Sequence, residues 1–146
     1  MLKAMRGVTL VELLVVIVII GVLMSVAVPS YRQYTLRANR AEAHSIVLQA
    51  AASQERFYLT NATYANGLVE LTDAPPNGLG LSAASPTGRY TLTIQGDAVA
   101  HVIEVTAQNA QTADTECGVF GMDERGRRYG GPGPVMDAAS NNADCW

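Results

Sequence analysis

From Val8 to Pro29 only Thr9, Glu12, Gly21 and Ser25 interrupt an otherwise aliphatic run. A helix over that stretch is about 30 Å long at roughly 1.5 Å per residue, enough to cross the hydrocarbon core of a bilayer. Beyond Pro29 the pattern becomes amphipathic. Ala43, Ile46, Val47, Ala50 and Phe57 fall on one helical face, while Arg37, Arg40, Glu42, Gln49 and Glu55 fill much of the remainder; this predicts a helix packed on a second element. As one helix from about Val8 to Tyr58 the two stretches would measure on the order of 75 Å, more than a small globular domain needs. Pro29 removes a backbone donor at the junction and Gly21 is a second soft point, so a kink or local unwinding is expected there.

Between Thr60 and Gly88 the composition turns to Asn, Gly, Pro and Ala, with Pro75-Pro76-Asn77-Gly78 and Ser85-Pro86-Thr87-Gly88 as turn signals. A long connection with short helical or 3₁₀ pieces is expected. The period then changes to two. Tyr90, Leu92 and Ile94 alternate with Thr91, Thr93 and Gln95, and a second run from His101 to Gln108 follows Gly96-Asp97, which predicts an antiparallel hairpin. Cys117–Met122 offers a third strand, Asp123–Gly126 a turn and Arg127–Tyr129 a returning fourth strand. The tail from Gly130 to Trp146 reads as irregular, and no internal repeat is visible.

A length of 146 residues leaves room for about one domain. Its apolar content, 49% of the chain, is concentrated near the start, as in a greasy segment joined to a soluble one. Lys3 and Arg6 precede the apolar run and Arg32 follows it. The positive-inside bias is therefore weak, with the short basic N-terminus favouring a cytoplasmic start. Of ten basic residues, Lys3 and Arg6 lie before Val8, so the remainder carries eight against 13 acidic residues. That balance argues against a general nucleic-acid binder.

Cys117 and Cys145 lie beyond the apolar segment, where an oxidising compartment would let them pair. Closing that loop would contribute roughly 3–4 kcal/mol in the chain-entropy model, whereas free thiols would contribute nothing of the kind. Two cysteines and the distant His44 and His101 do not make a metal site. The histidines also lack a neighbouring nucleophile or carboxylate pattern that would suggest catalysis, so they read as structural or exposed. No catalytic residue and no cofactor is expected. Arg125, Arg127 and Arg128 form the one basic cluster after Val8; it reads as a solvated turn or as a weak contact for DNA, a host surface or an acidic neighbour. Asn61-Ala62-Thr63 matches a glycosylation acceptor pattern but reads as a helix-end turn.

The segment Lys3-Ala4-Met5-Arg6-Gly7-Val8-Thr9-Leu10-Val11-Glu12-Leu13 joins a basic stub, a glycine and a single carboxylate inside an aliphatic helix. A carboxylate buried in a membrane costs several kcal/mol and usually marks function. Cleavage after Gly7 would create an amino group at Val8, and an ammonium and a carboxylate attract strongly in low-dielectric surroundings.

Gly7-Val8-Thr9-Leu10-Val11-Glu12-Leu13 resembles the class III signal of the type IV pilin family, usually Gly-Phe-Thr-Leu-(Ile/Val)-Glu-Leu. The resemblance implies that a membrane aspartyl prepilin peptidase cuts between Gly7 and Val8 and N-methylates Val8, and that Glu12 pairs with the terminus of a neighbouring subunit during assembly. Val8 stands where phenylalanine is usual. Pro29-Ser30-Tyr31 falls where pilins kink, Arg56-Phe57-Tyr58 through Asn61-Ala62-Thr63-Tyr64 resembles the end of the pilin helix, and Cys117 and Cys145 resemble the pair closing the pilin C-terminal loop. The later features are similar to short PilE-like minor pilins of the type IVa group.

The expected fold is α+β: a long kinked N-terminal helix whose second half packs on a three- to four-stranded antiparallel sheet, with a disulfide-closed C-terminal loop. Residues 1–7 are expected to be a cleaved leader, 8–29 a transmembrane and filament-core half-helix, and 30–146 a periplasmic or extracellular head. The expected function is structural, a minor pilin of a pilus serving adhesion, twitching motility or DNA uptake. Its expected partners are the prepilin peptidase, other pilin subunits, the inner-membrane assembly machinery and the membrane itself. It would sit in the bacterial inner membrane as a single-pass protein before assembly and in the extracellular pilus afterwards. Three alternatives remain: a type II secretion pseudopilin sharing Gly7 and Glu12, a membrane-anchored periplasmic binding module, and a secreted protein cut after Ser25-Val26-Ala27.

Overall fold

The computed structural model describes residues 8–133 and 142–146. Helix α1 spans Leu10–Asn61, and the chain divides into two compact units, one ending at Thr35 and the other running Leu36–Trp146.

In the first unit every described side chain except Thr35 is exposed. Leu10, Ile17, Val22, Leu23 and Val26 lie bare along it, and an 18-residue window within α1 has a mean hydropathy of 3.0. Isolated in water such a surface would be strongly unfavourable at about 25 cal/mol per Å², so the segment needs lipid or other helices. The backbone is helical through both Gly21 and Pro29.

The second unit has its own core. Residues 36–61 of α1 bury Arg40, Ala43, Val47, Ala50, Ser53, Gln54 and Phe57, a stripe at helical spacing that the apolar positions dictate. It rests with the sheet residues Tyr90, Leu92, Ile94, Ile103, Val105 and Phe120 in one cluster. The sheet has four strands in the order β1-β2-β3-β4, namely Tyr90–Gly96, His101–Ala107, Val119–Asp123 and Arg128–Gly131. All pairs are antiparallel, with Leu92 opposite Val105, Ile103 opposite Met122 and Gly121 opposite Tyr129. Alternation in β1 and β2 sends one row of side chains into the core. The period-two pattern therefore predicts the hairpin correctly, and β3 and β4 begin one to two residues later than their sequence signals.

The connection after α1 contains a short helix, α2 (Gly67–Thr72), whose Leu71 is buried. Two backbone devices fix this region. The buried Gln54 amide donates to the Ala65 carbonyl at 2.9 Å and accepts from its N–H at 2.8 Å, standing in for a strand neighbour. At Gly96 a Cβ would lie 2.6 Å from the Ala65 carbonyl oxygen, so glycine is required for the hairpin end to pass this segment.

His101, at the start of β2, is 3% exposed, and among the described residues neither ring nitrogen has a hydrogen-bond partner. Its ring lies 4.5 Å from that of Tyr64, which in turn stacks on Tyr58. Burial pushes the imidazole pKa down, against the pull of Glu55, Glu124 and Asp123. The native state thus binds fewer protons than the unfolded chain, so this contribution is present above the unfolded value of about 6.5 and is lost as pH falls below it. Glu42 and Asp123 are raised by burial but lowered more by the hydrogen bonds they accept. Their contribution persists until pH falls below about 4. Thermal unfolding of the full chain in detergent should therefore show a midpoint that drops in two stages on acidification. His101→Phe should abolish the upper stage, whose slope cannot exceed about 1.4 kcal/mol per pH unit for one proton.

Candidate functional sites

Three places carry the residues singled out from the sequence. At the N-terminal end, Gly7 lies outside the described residues. Val8 precedes α1 and is 68% exposed. Glu12 sits in the first turn of α1, where its backbone N–H donates to the Thr9 hydroxyl at 3.2 Å. Thr9 is thus the N-cap, and Thr9-Leu10-Val11-Glu12 has the spacing of a capping box. That function was legible in the sequence and is additional to any pairing of Glu12 with a terminus. The carboxylate also lies where the helix dipole favours negative charge.

At the C-terminal end, Cys117 and Cys145 form a disulfide, with a sequence separation of 28 and a Cα–Cα distance of 5.5 Å. Close to its backbone lies a side chain grouped with the polar positions by its charge, although helical spacing sets it on the buried stripe with Ala43 and Val47. Arg40 is buried, with Nε 2.7 Å and Nη2 2.8 Å from the two Asp114 oxygens, a bidentate pair. Glu116 adds a longer contact of 3.6 Å to Nη2. The hydrogen bond and charge of Asp114 hold the guanidinium above its usual pKa, against burial. Asp114 ends a 3₁₀ turn over Asn109–Ala113, and the buried Gln111 of that turn donates to the Leu36 carbonyl and accepts from Asn39.

His44, one turn on from Arg40, contacts the Cys145 carbonyl through Nε2 at 2.7 Å. The ring stacks on Trp146 at 4.6 Å. The Trp146 indole N–H donates to the Tyr129 carbonyl, and Gly130 must be a glycine because a Cβ there would meet the Cys145 Cβ at 2.6 Å. Both histidines are therefore structural, His101 inside the core and His44 beside the disulfide.

The basic cluster occupies the β3–β4 hairpin, residues 124–127 forming the connection. Asp123 organises it: its carboxylate accepts from the Arg125 and Arg127 N–H groups, the Arg127 Nε and the Tyr129 hydroxyl. Arg127 is thereby largely a structural cation. Arg125 touches Glu124 at 3.1 Å but keeps a side chain 71% exposed, and Arg128 lies over the Trp146 ring at 5.2 Å. The cluster thus offers exposed guanidinium groups with part of their charge offset. Among the described residues no group of three or more His, Cys, Asp or Glu side chains is placed to hold a metal ion.

Comparison with known proteins places these sites in context. A family described as "Type IV minor pilin ComP, DNA uptake sequence receptor" matches residues 29–121, and the "Prokaryotic N-terminal methylation motif" matches residues 2–28. A type IV major pilin protein PilE1 of Neisseria gonorrhoeae is 26% identical over 145 residues, 95% of this chain and 75% of that protein. Another PilE1 from the same organism is 33% identical, over 70% of this chain but only 43% of its own length. The fimbrial protein EcpC of Eikenella corrodens is 30% identical over 70% of this chain and 71% of its own length. A type IV pilin structure from Shewanella oneidensis shows 20% identity and a TM-score of 0.48, covering 76% of this chain and 97% of that one.

Proposed function

The chain belongs to the type IV minor pilin family typified by ComP, and from that premise we propose that it is a filament subunit which brings DNA to the pilus surface through its head. As a type IV pilin it is a structural subunit, made to join other pilin subunits after peptidase processing. Its apolar N-terminal helix serves first as a membrane anchor and then as a filament strand. In the finer reading the leader is residues 1–7, the cut falls between Gly7 and Val8, and Val8 is methylated with its N-terminus starting in the cytoplasm. The inner-membrane assembly machinery then draws residues 8–29 from lipid into a helix bundle, Gly21 and Pro29 supplying any bend.

The observation that carries the filament reading is the conjunction of Gly7-Val8-Thr9-Leu10-Val11-Glu12-Leu13 with an uncovered aliphatic helix surface. A surface that apolar is stable only in lipid or against like helices, where van der Waals packing replaces hydration. The disulfide-closed C-terminus favours a pilus over a secretion pseudopilus. A monomeric anchored binding module would use Glu12 only at the helix cap and would give no role to Gly7.

DNA contact is supported by the family of the head and by the exposed arginines of the β3–β4 hairpin, which lie just past the matched residues 29–121. The acidic balance of the rest means that any affinity is local and phosphate-directed. Full-length protein in detergent should bind a labelled duplex with an affinity that falls with salt. Arg125→Ala with Arg128→Ala should weaken binding about tenfold or more and lower the salt slope by about two. An unchanged slope would move the contact elsewhere on the head.

A further inference from the structure

The C-terminal disulfide is tied to α1 at both of its ends. On the Cys117 side, Arg40 fixes Asp114 through two bonds of 2.7 and 2.8 Å, and Asp114 Oδ1 in turn accepts the Cys117 N–H at 3.3 Å. On the Cys145 side, Arg40 Nη1 donates to the Asp144 carbonyl at 3.4 Å, and His44 meets the Cys145 carbonyl at 2.7 Å. One guanidinium and one imidazole, a single helical turn apart, therefore hold the backbone beside both cysteines. None of these contacts involves a sulfur atom, so all of them can form while the cysteines are still thiols. A solvent-facing disulfide would need no such arrangement, and the desolvation cost of Arg40 is otherwise hard to justify, since a buried ion pair gives little net stability.

We propose that the Arg40–His44 face of α1 is the template on which the Cys117–Cys145 bond closes, bringing the two chain segments into register before oxidation. The oxidant is an external disulfide, either a small molecule or a thiol–disulfide oxidoreductase. One cysteine thiolate attacks it, forming a mixed disulfide and expelling the first thiolate. The second cysteine thiolate then attacks the protein sulfur of that mixed disulfide, forming the Cys117–Cys145 bond and expelling the second thiolate. Two electrons pass to the oxidant, and the two protons lost by the cysteines end on its thiols. Arg40 and His44 act as positioning residues that raise the effective concentration of one thiol near the other. In this scheme the bond closes only on a docked helix, so oxidation reports that the head has folded around α1. The inference stands apart from DNA contact and from filament assembly.

The test equilibrates full-length protein in detergent micelles with reduced and oxidised glutathione, quenches with acid, alkylates, and reads the oxidised fraction by intact mass. Arg40→Gln should lower the effective thiol concentration by about tenfold to a hundredfold, the range that one lost hydrogen bond to a charged group implies. His44→Phe, which keeps a ring against Trp146 but removes the carbonyl contact, should lower it about threefold to tenfold. Glu42→Gln supplies the control for general destabilisation: Glu42 anchors Thr87 through bonds of 2.8 and 2.6 Å, away from both cysteines, and should leave the ratio within about twofold. If Arg40→Gln does not accumulate as folded protein, His44→Phe decides the matter. The proposal is overturned if His44→Phe stays within twofold of the native protein, or if Glu42→Gln shifts the equilibrium as far as the template variants do.

Discussion

Replacing Glu12 by alanine is expected to reduce the subunit's share of sheared surface filaments at least about tenfold, the factor that 1.4 kcal/mol of lost pairing produces, while a stable membrane pool remains. A lone carboxylate in apolar surroundings is costly unless a cation meets it. In the proposed reading the ammonium created at Val8 of a neighbouring subunit is that cation, and pairing the two would set the axial register of one helix on the next. The same residue also lies in the first turn of α1, beside the Thr9 cap. Thr9→Ala separates the two roles, because it removes the cap at a cost of about 0.5–2 kcal/mol to the helix end but leaves the carboxylate. Filament incorporation should survive Thr9→Ala and fail in Glu12→Ala. Equal loss in both would assign Glu12 to helix capping rather than to assembly.

Removing both cysteines by Cys117→Ser and Cys145→Ser should destabilise the head by about 3–4 kcal/mol, the chain-entropy value for a loop of this size. The linkage spans 28 positions and closes the segment containing β3, β4 and residues 134–141. Denaturant unfolding in detergent can follow the chain's single tryptophan, Trp146, which rests against His44 and beneath Arg128. A midpoint shift worth less than about 1 kcal/mol would mean that the polar contacts around Arg40 hold the tail without the bond.

Much of this architecture is legible in the chain because its physical causes are local. The aliphatic run with Glu12 inside it, the apolar face through Ala43, Val47, Ala50 and Phe57, and the alternation around Leu92 and Ile103 each follow from spacing within one element. Residue type misleads where a residue's partner is distant in sequence. Arg40 stands at the spacing of the buried stripe with Ala43 and Val47, but its charge groups it with the polar residues, and only Asp114, 74 positions away, makes its burial tolerable. Gln54 gives no sign that it pairs with the backbone of Ala65. His101 looks like an ordinary strand position until Tyr64 covers it.

Other features could have been found with closer reading. Thr9 and Glu12 stand at capping-box spacing, and the Asp123–Arg127 segment has the carboxylate and glycine of an organised turn. The charge of the β3–β4 cluster is harder to judge from sequence. Three arginines in four positions suggest a cationic patch, yet Asp123 and Glu124 engage two of them. What remains for a ligand depends on which guanidinium groups the turn leaves free.

In the proposed reading the chain is processed as a pilin before it becomes a filament strand. Intact-mass and N-terminal peptide mass spectrometry of the mature protein, taken from membranes and from sheared surface material, tests it most directly. A chain that begins at methylated Val8 is expected in both fractions. A chain beginning at Val28 would identify a secreted protein and contradict the filament reading, and a retained Met1 in cells that process other pilins would reduce α1 to a plain anchor.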